Sequence, residues 1–269
     1  MKRYATVLTI AGSDSSGGAG IQADLKTFSA MGCYGMSVIT AVTAQNTIGV
    51  SAIHPIPTDV IARQIDAVLE DIGADAIKIG MLHSSAVIET VADRLRHHRA
   101  KNIVVDPVMV AKSGDRLLQE EATQALCNTL LPLATVITPN LPEAAVLLGR
   151  EVKRKEQMLE AAHDLTRLGA QAVLLKGGHL DDEQSPDILV IRHLEEPVVL
   201  EAPRVKTSNT HSTGCTLSSA IAACLAKGLD IVEAVQRAKA YLTRALAAGA
   251  DYELGHGRGP VHHFHEYWE

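Results

Sequence analysis

Nothing in this 269-residue chain approaches the roughly 18 consecutive apolar residues of a membrane span, so no transmembrane helix is expected. A basic excess is missing too. Lys and Arg number 25 against 31 Asp and Glu, a net charge of −6, which excludes nucleic acid and anionic membrane as general partners. Cysteine is sparse: Cys33, Cys127, Cys215 and Cys224 are the whole set, and no two form a CxxC pair. That spacing excludes a disulfide framework and a structural zinc site, and a reducing cytoplasm is the expected compartment. The apolar run in MKRYATVLTIAG is short and passes straight into a Gly/Ser loop, so it reads as a buried first strand rather than a signal peptide. Repeats, linkers and low-complexity segments are lacking as well. With 46% hydrophobic and 21% charged residues, residues 1–269 are expected to build one domain around a sizeable core.

What is present is alternation. Residues 6–10 read as a strand, 19–30 as a helix, 37–44 as a strand and 59–69 as an amphipathic helix. Short continuous apolar runs at 76–79, 103–105, 135–138 and 172–175 suit parallel strands buried on both faces. Helical spacing fills 85–96, 120–130, 141–148 and 155–168. The pattern implies an α/β sandwich of three layers, a mainly parallel central sheet with helices on both faces. It breaks once, at 187–192 and 198–202, where two β-like runs joined by a charged turn predict an antiparallel hairpin near the sheet edge. Helices at 216–226 and 231–248 follow, then a Gly- and His-rich tail read as a surface segment. Its His256, His262, His263 and His265 have no regular ligand spacing.

Ligands of such sheets bind at the carboxyl ends of the strands, so the strand-to-helix loops carry the chemistry. KTSNTHSTGCTLSSAIAA, residues 206–223, passes abruptly from small polar residues into an Ala-rich run, as a loop feeding a helix N-terminus does. Such a terminus offers unpaired N–H groups to a phosphate, and a thiol at Cys215 there is expected to ionise more readily than a free one. A capped helix with a structural cysteine is the plain alternative. AGSDSSGGAGIQADLKT, residues 11–27, permits close backbone approach but fits neither GxGxxG nor GxxxxGK[ST]. Gln45 offers an amide to a planar ring, or sits in a surface turn. Asp106 ends a strand, as a metal–phosphate neighbour or a helix cap. Asn140 and Glu143 stand at a helix start, where Asn140 caps and Glu143 suits the dipole or holds Mg2+ through water. Lys176 directly after a buried strand, followed by two glycines, reads as a phosphate neighbour or a solvated strand end. Residues 111–118, AKSGDRLL, are the candidate lid.

Taken in order, AGSDSSGGAGIQADLKT, TAVTAQNT, IKIGML, VVDPVM, TPNLPEA, LLKGGH and NTHSTGCTLSSAIAA resemble the hydroxymethylpyrimidine/phosphomethylpyrimidine kinases of thiamine biosynthesis, in the ribokinase superfamily. The resemblance runs to about residue 260 and implies a ribokinase-like fold, ATP, Mg2+ and a homodimer. It further implies two successive phosphorylations, of the pyrimidine alcohol and then of its monophosphate. It makes Gln45 the pyrimidine-recognising residue, with Gly12, Asp24 and Met81 near the same pocket. Asn140, Glu143 and Lys176 fall in the nucleotide and Mg2+ region; Asp106, from its place at a strand end rather than from the resemblance, is expected as a second carboxylate for the metal. Thr213, Gly214 and Cys215 match the anion-hole loop, and Cys215 takes the place of a catalytic Asp in many sugar kinases. One position departs from the pattern. The usual loop is HGTGC, and Ser212 replaces its Gly, at a steric cost if the backbone there needs positive φ.

Phosphoryl transfer needs positioning and charge neutralisation above all. The expected roles follow: N–H groups of Ser212–Cys215 on the migrating phosphoryl group, Lys176 and a Glu143-held Mg2+ on its charge, Cys215 as base. A pyridoxal/pyridoxine-type kinase is the alternative within the class. Outside it stand a non-catalytic binding protein and a thiol hydrolase built on Cys215 and His211, which has no evident third residue to orient the histidine.

Overall fold

The computed structural model describes residues 2–109, 121–178 and 186–268. Among these, nine strands form one sheet: β1 (Thr6–Asp14), β2 (Tyr34–Gln45), β3 (Val50–Pro55), β4 (Ala76–Ile79), β5 (Ile103–Val105), β6 (Val136–Ile137), β7 (Ala172–Lys176), β8 (Asp187–Ile191) and β9 (Val198–Leu200). Their order across the sheet is β3-β2-β1-β4-β5-β6-β7-β8-β9. From β2 to β7 all neighbours run parallel, and antiparallel pairs close both ends.

The helices are α1 (Gly20–Ala30), α2 (Thr58–Asp71), α3 (Ser85–His97), α4 (Ala122–Ala125), α5 (Leu141–Leu148), α6 (Lys155–Thr166), α7 (Thr213–Ala226) and α8 (Ile231–Gly249). Strand alternation splits the interior in two. Leu8 and Ile10 of β1 face one core with Ile61, Ile65, Leu95 and Met158 from α2, α3 and α6. Val7 faces the other, with Phe28, Leu217, Ile221 and Val235 from α1, α7 and α8. Each such side chain, fully buried, contributes about 1.5–3 kcal/mol of transfer free energy. Helix α7 is buried on nearly every side from Thr216 to Leu225, which its Ala- and Ser-rich sequence permits by keeping the helix thin.

Three expectations change. The parallel pattern breaks twice, because β3 pairs antiparallel with β2 at the edge opposite the 187–200 hairpin. The segment 120–130 is not one α-helix: α4 gives way to a π-helical turn at Leu126–Leu130 and a 3-10 turn at Leu131–Leu133, where Pro132 has no N–H to donate. The tail is no mere surface segment. His211 pairs with Pro260 in a β-bridge, and Val261 and His263 are buried. The proposed lid at 111–118 lies outside the described residues.

Candidate active site

The parallel strands end on one side, and the loops leaving them line one cavity of about 800 Å³. Asp14 ends β1, Met81 follows β4, Asp106 follows β5, Asn140 follows β6, Lys176 ends β7, and the α7 start closes the ring.

At the first wall, Asp14 organises the glycine loop. It accepts Ser16 N at 2.8 Å, Ser16 Oγ at 2.8 Å and Ala19 N at 2.7 Å, and lies 3.4 Å from His211 Nε2. Burial works against its charge, but His211 and these donors prevail and hold the carboxyl below its usual range. Gly18 lets His211 lie flat on the loop, since a Cβ there would come within 2.5 Å of the ring. The sequence lacked a residue to orient His211; the structure supplies Asp14. Gly12 lies against Met81, where a Cβ would come within 2.5 Å of Met81 Cε, and both residues line the cavity. Gln45 lines it too. Its Oε1 is 3.1 Å from Thr43 Oγ1, and its Nε2 has no partner among the described residues.

Asp24, expected near that pocket, is behind the wall. It is fully buried and does not line the cavity, because Lys78 Nζ binds its two oxygens at 2.9 and 2.8 Å. Lys78 lines the cavity and was missed; its signal was a lone lysine inside the apolar strand AIKI.

Across the cavity, Lys176 Nζ is 2.9 Å from Asp106 Oδ1, which also accepts Thr138 Oγ1 at 3.0 Å. Burial opposes both charges. The pair overcomes it, so Asp106 is held below and Lys176 above the ordinary range, Lys176 gaining further from Glu143. Lys176 is therefore no solvated strand end. Asn140 and Glu143 form a capping box at α5: Asn140 Oδ1 accepts Glu143 N at 2.9 Å and Glu143 Oε2 accepts Asn140 N at 2.8 Å. Burial, reinforced by Asp106 and opposed by Lys176, pushes the Glu143 carboxyl up to about 7.

Helix α7 begins at Thr213, three residues before the expected start, and Cys215 lies in its first turn. Unlike α3, α5 and α8, it has no side-chain cap. The backbone N–H groups of Gly214 and Cys215 have no acceptor among the described residues, as an anion site requires. Gly214 faces the ion pair: a Cβ would stand 3.2 Å from Lys176 Nζ and 3.4 Å from Asp106 Oδ2. Ser212 is in the left-handed region, φ 62°, as the departure from HGTGC raised. Its Oγ is buried with no hydrogen-bond partner of normal geometry, although it lies close enough to the Cys215 sulfur to favour the thiolate. The expectation for Cys215 itself is reversed. Burial pushes the thiol up, Asp24 and Asp106 add to this, and Lys78 opposes it without prevailing. Desolvation outweighs the helix terminus.

A family model described as phosphomethylpyrimidine kinase matches residues 14–262. A hydroxymethylpyrimidine/phosphomethylpyrimidine kinase of Escherichia coli K12 is 54% identical over 269 residues, covering 100% of both chains. One from Rhizobium meliloti is 54% identical over 266 residues, 98% of this chain and 99% of that one. A pyridoxal kinase of Bacillus subtilis, solved as an ADP complex, superimposes with a TM-score of 0.91 at 43% identity, covering 99% of this chain and 100% of that one. On the family match and these full-length identities, the chain belongs to the phosphomethylpyrimidine kinase family.

Proposed function

We propose that the protein is an ATP-dependent kinase that phosphorylates 4-amino-5-hydroxymethyl-2-methylpyrimidine and then its monophosphate, to the diphosphate used in thiamine biosynthesis. The observation that carries this reading is the uncapped start of α7 set against the Lys176–Asp106 pair, with Gly214 keeping the two in contact distance. In the first step the Cys215 sulfur, as thiolate, takes the proton of the substrate oxygen while that oxygen forms a bond to the γ-phosphorus. The bond from that phosphorus to its bridging oxygen breaks, and its electron pair leaves with ADP. N–H groups at Gly214 and Cys215 hold the migrating group, and Lys176 screens its charge. The second step uses a phosphate oxygen that is already anionic, so the sulfur has less to do. Gln45 and Met81, with Gly12 beside it, suit the pyrimidine ring, an amide facing ring nitrogens and a thioether against its face.

Glu143 fits Mg2+: one carboxylate oxygen is outside the capping box, and burial beside Asp106 makes its negative charge costly without a cation. Glu143 would hold the ion with Asp106 as second carboxylate, and when bound it would neutralise phosphate charge.

A coupled ATP-turnover assay with the pyrimidine alcohol and its monophosphate as separate substrates tests the reading, and turnover with neither sinks it. The superposition on a pyridoxal kinase keeps a second reading in view, phosphorylation of pyridoxal or pyridoxine in the same pocket. The same assay with pyridoxine decides between them by the ratio of kcat/KM values.

A further inference from the structure

His211 lines the cavity just before α7 begins at Thr213. Its backbone is held by the C-terminal segment: His211 N donates to Gly259 O at 2.9 Å, and His211 bridges to Pro260. Its ring is held as well. Asp14 Oδ2 lies 3.4 Å from Nε2, and Gly18 leaves room for the imidazole, since a Cβ there would come within 2.5 Å of its Cδ2. A carboxylate only accepts, so Nε2 carries the proton of that bond. Nδ1 is left over, with no partner among the described residues. The ring also stands at a junction. On one side, Asp14 follows Gly12 closely, and Ser15 is tied to Gln45 by two bonds: Gln45 N donates to Ser15 Oγ at 2.9 Å, and Ser15 Oγ donates to Gln45 O at 2.7 Å. Gly12 and Gln45 are residues that suit the pyrimidine ring. On the other side, Gly214 and Cys215 present the N–H groups that suit the migrating phosphoryl group. Whatever the ring's hydroxymethyl oxygen carries stands between the two. In the first step it carries a proton. In the second it carries a phosphate, which brings a charge of about −2 to the same place.

We infer that His211 recognises the substrate's own phosphate in the second phosphorylation: its ring, oriented by Asp14 through Nε2, carries a proton on Nδ1 and donates it in a hydrogen bond to a phosphate oxygen that does not attack. This deepens the kinase reading and rests on it. The proton comes from the monoester itself, whose second ionisation lies at about 6, or from solvent, and no covalent bond to phosphorus changes. Such a charge-assisted bond is shorter and stronger than one between neutral groups. The alcohol offers Nδ1 no anion, so the same ring has less to contribute to the first step. The two steps thus lean on different side chains, the first on the Cys215 sulfur and the second on the His211 imidazole.

His211→Gln keeps a polar side chain but cannot carry the charge. In the coupled assay, the ratio of kcat/KM for the monophosphate to kcat/KM for the alcohol should fall by about 10-fold or more in this variant, chiefly through the KM of the monophosphate. A role in packing alone would lower both values alike, so an unchanged ratio overturns the inference. Should the variant fail to fold, the wild-type protein decides. Diethyl pyrocarbonate acylates a ring nitrogen that bears no hydrogen, which the bond to Asp14 leaves at Nδ1, and peptide mass separates His211 from the other histidines. Saturating monophosphate should block this acylation and the alcohol should not. Equal protection by the two compounds, or none by the monophosphate, overturns the inference. Turnover of neither pyrimidine by the wild-type protein is a different result, which sinks the kinase reading and this inference with it. Turnover of both, with an unchanged ratio in His211→Gln, sinks the role of His211 alone.

Discussion

Ser212 holds a backbone conformation that disfavours a side chain, at φ 62°, with a buried hydroxyl that gains no normal hydrogen bond. Left-handed backbone in a residue other than glycine costs roughly 1–2 kcal/mol, partly offset by the extra entropy a glycine loses on folding. Ser212→Gly should therefore stabilise the protein by about 1 kcal/mol and raise its melting temperature by about 2–4 °C. A lower melting temperature would mean that the hydroxyl contributes more than its geometry indicates. Three residues on, Cys215 tests the mechanism. Its replacement by Ala should slow the first phosphorylation by about 100-fold or more, the range of a lost general base, and the second much less. Equal losses measured with the two substrates would leave Cys215 only a shape-giving role in the anion hole. Residue identities at this end of the chain were legible because polar groups beside an Ala-rich run are conspicuous. The direction of the Cys215 shift was not, because it depends on burial by α7 packing and on Asp24 and Asp106, distant in sequence.

At the scale of elements, the parallel strands and the helices between them were read closely, since a buried strand or amphipathic helix writes its environment into its own apolar spacing. Strand β3 carries no such mark. Only Val50 and Ile53 are half-buried and the other four residues are exposed at the sheet edge, so VSAIHP shows neither a buried apolar run nor a period of two. The π-helical turn at Leu126–Leu130 was equally hidden, because its spacing passes for α-helical. The start of α5 was the opposite case. Asn140 read as a cap and Glu143 as suited to the helix dipole, and the structure joins the two in a capping box with both bonds. Asn140→Ala should cost about 1 kcal/mol, seen as a lower melting temperature, whereas Asn140→Ser, which keeps a capping oxygen, should retain most of it. Both variants falling by the same amount would show that the cap is not what Asn140 contributes. Because Glu143 sits in the same box, the alanine variant should also raise the KM for ATP.

At the scale of the whole molecule, the C-terminal segment is tied back onto the body through a buried histidine, and this makes stability depend on pH. The C-terminal segment returns under α7: His262 N donates to Ala245 O, Tyr241 Oη donates to His263 O at 2.7 Å, and His263 Nε2 is 3.2 Å from Thr216 Oγ1. Burial, with Lys26, His262 and His265 adding to it, lowers His263 to about 3. A histidine lowered in the folded state stabilises fully above its unfolded value of about 6.5, and that contribution drains away as pH falls toward the folded value. Glu143 has the opposite sign. Raised to about 7, it stabilises below its unfolded value and loses that contribution as pH climbs through 7. Between about pH 7 and about pH 4.5 the two slopes oppose each other, so the wild-type protein should show a shallow dependence there and a steep loss only below it. His263→Gln keeps a polar partner for Thr216 but cannot titrate. Its stability relative to wild type should therefore improve by about 2 kcal/mol on going from about pH 7.5 to about pH 5, since one pH unit of unshared protonation is worth about 1.4 kcal/mol. Thermal melts of the two proteins across that interval measure the difference. Curves that stay parallel would show that His263 titrates in the fold as it does unfolded, so that its burial does not disfavour the charged ring.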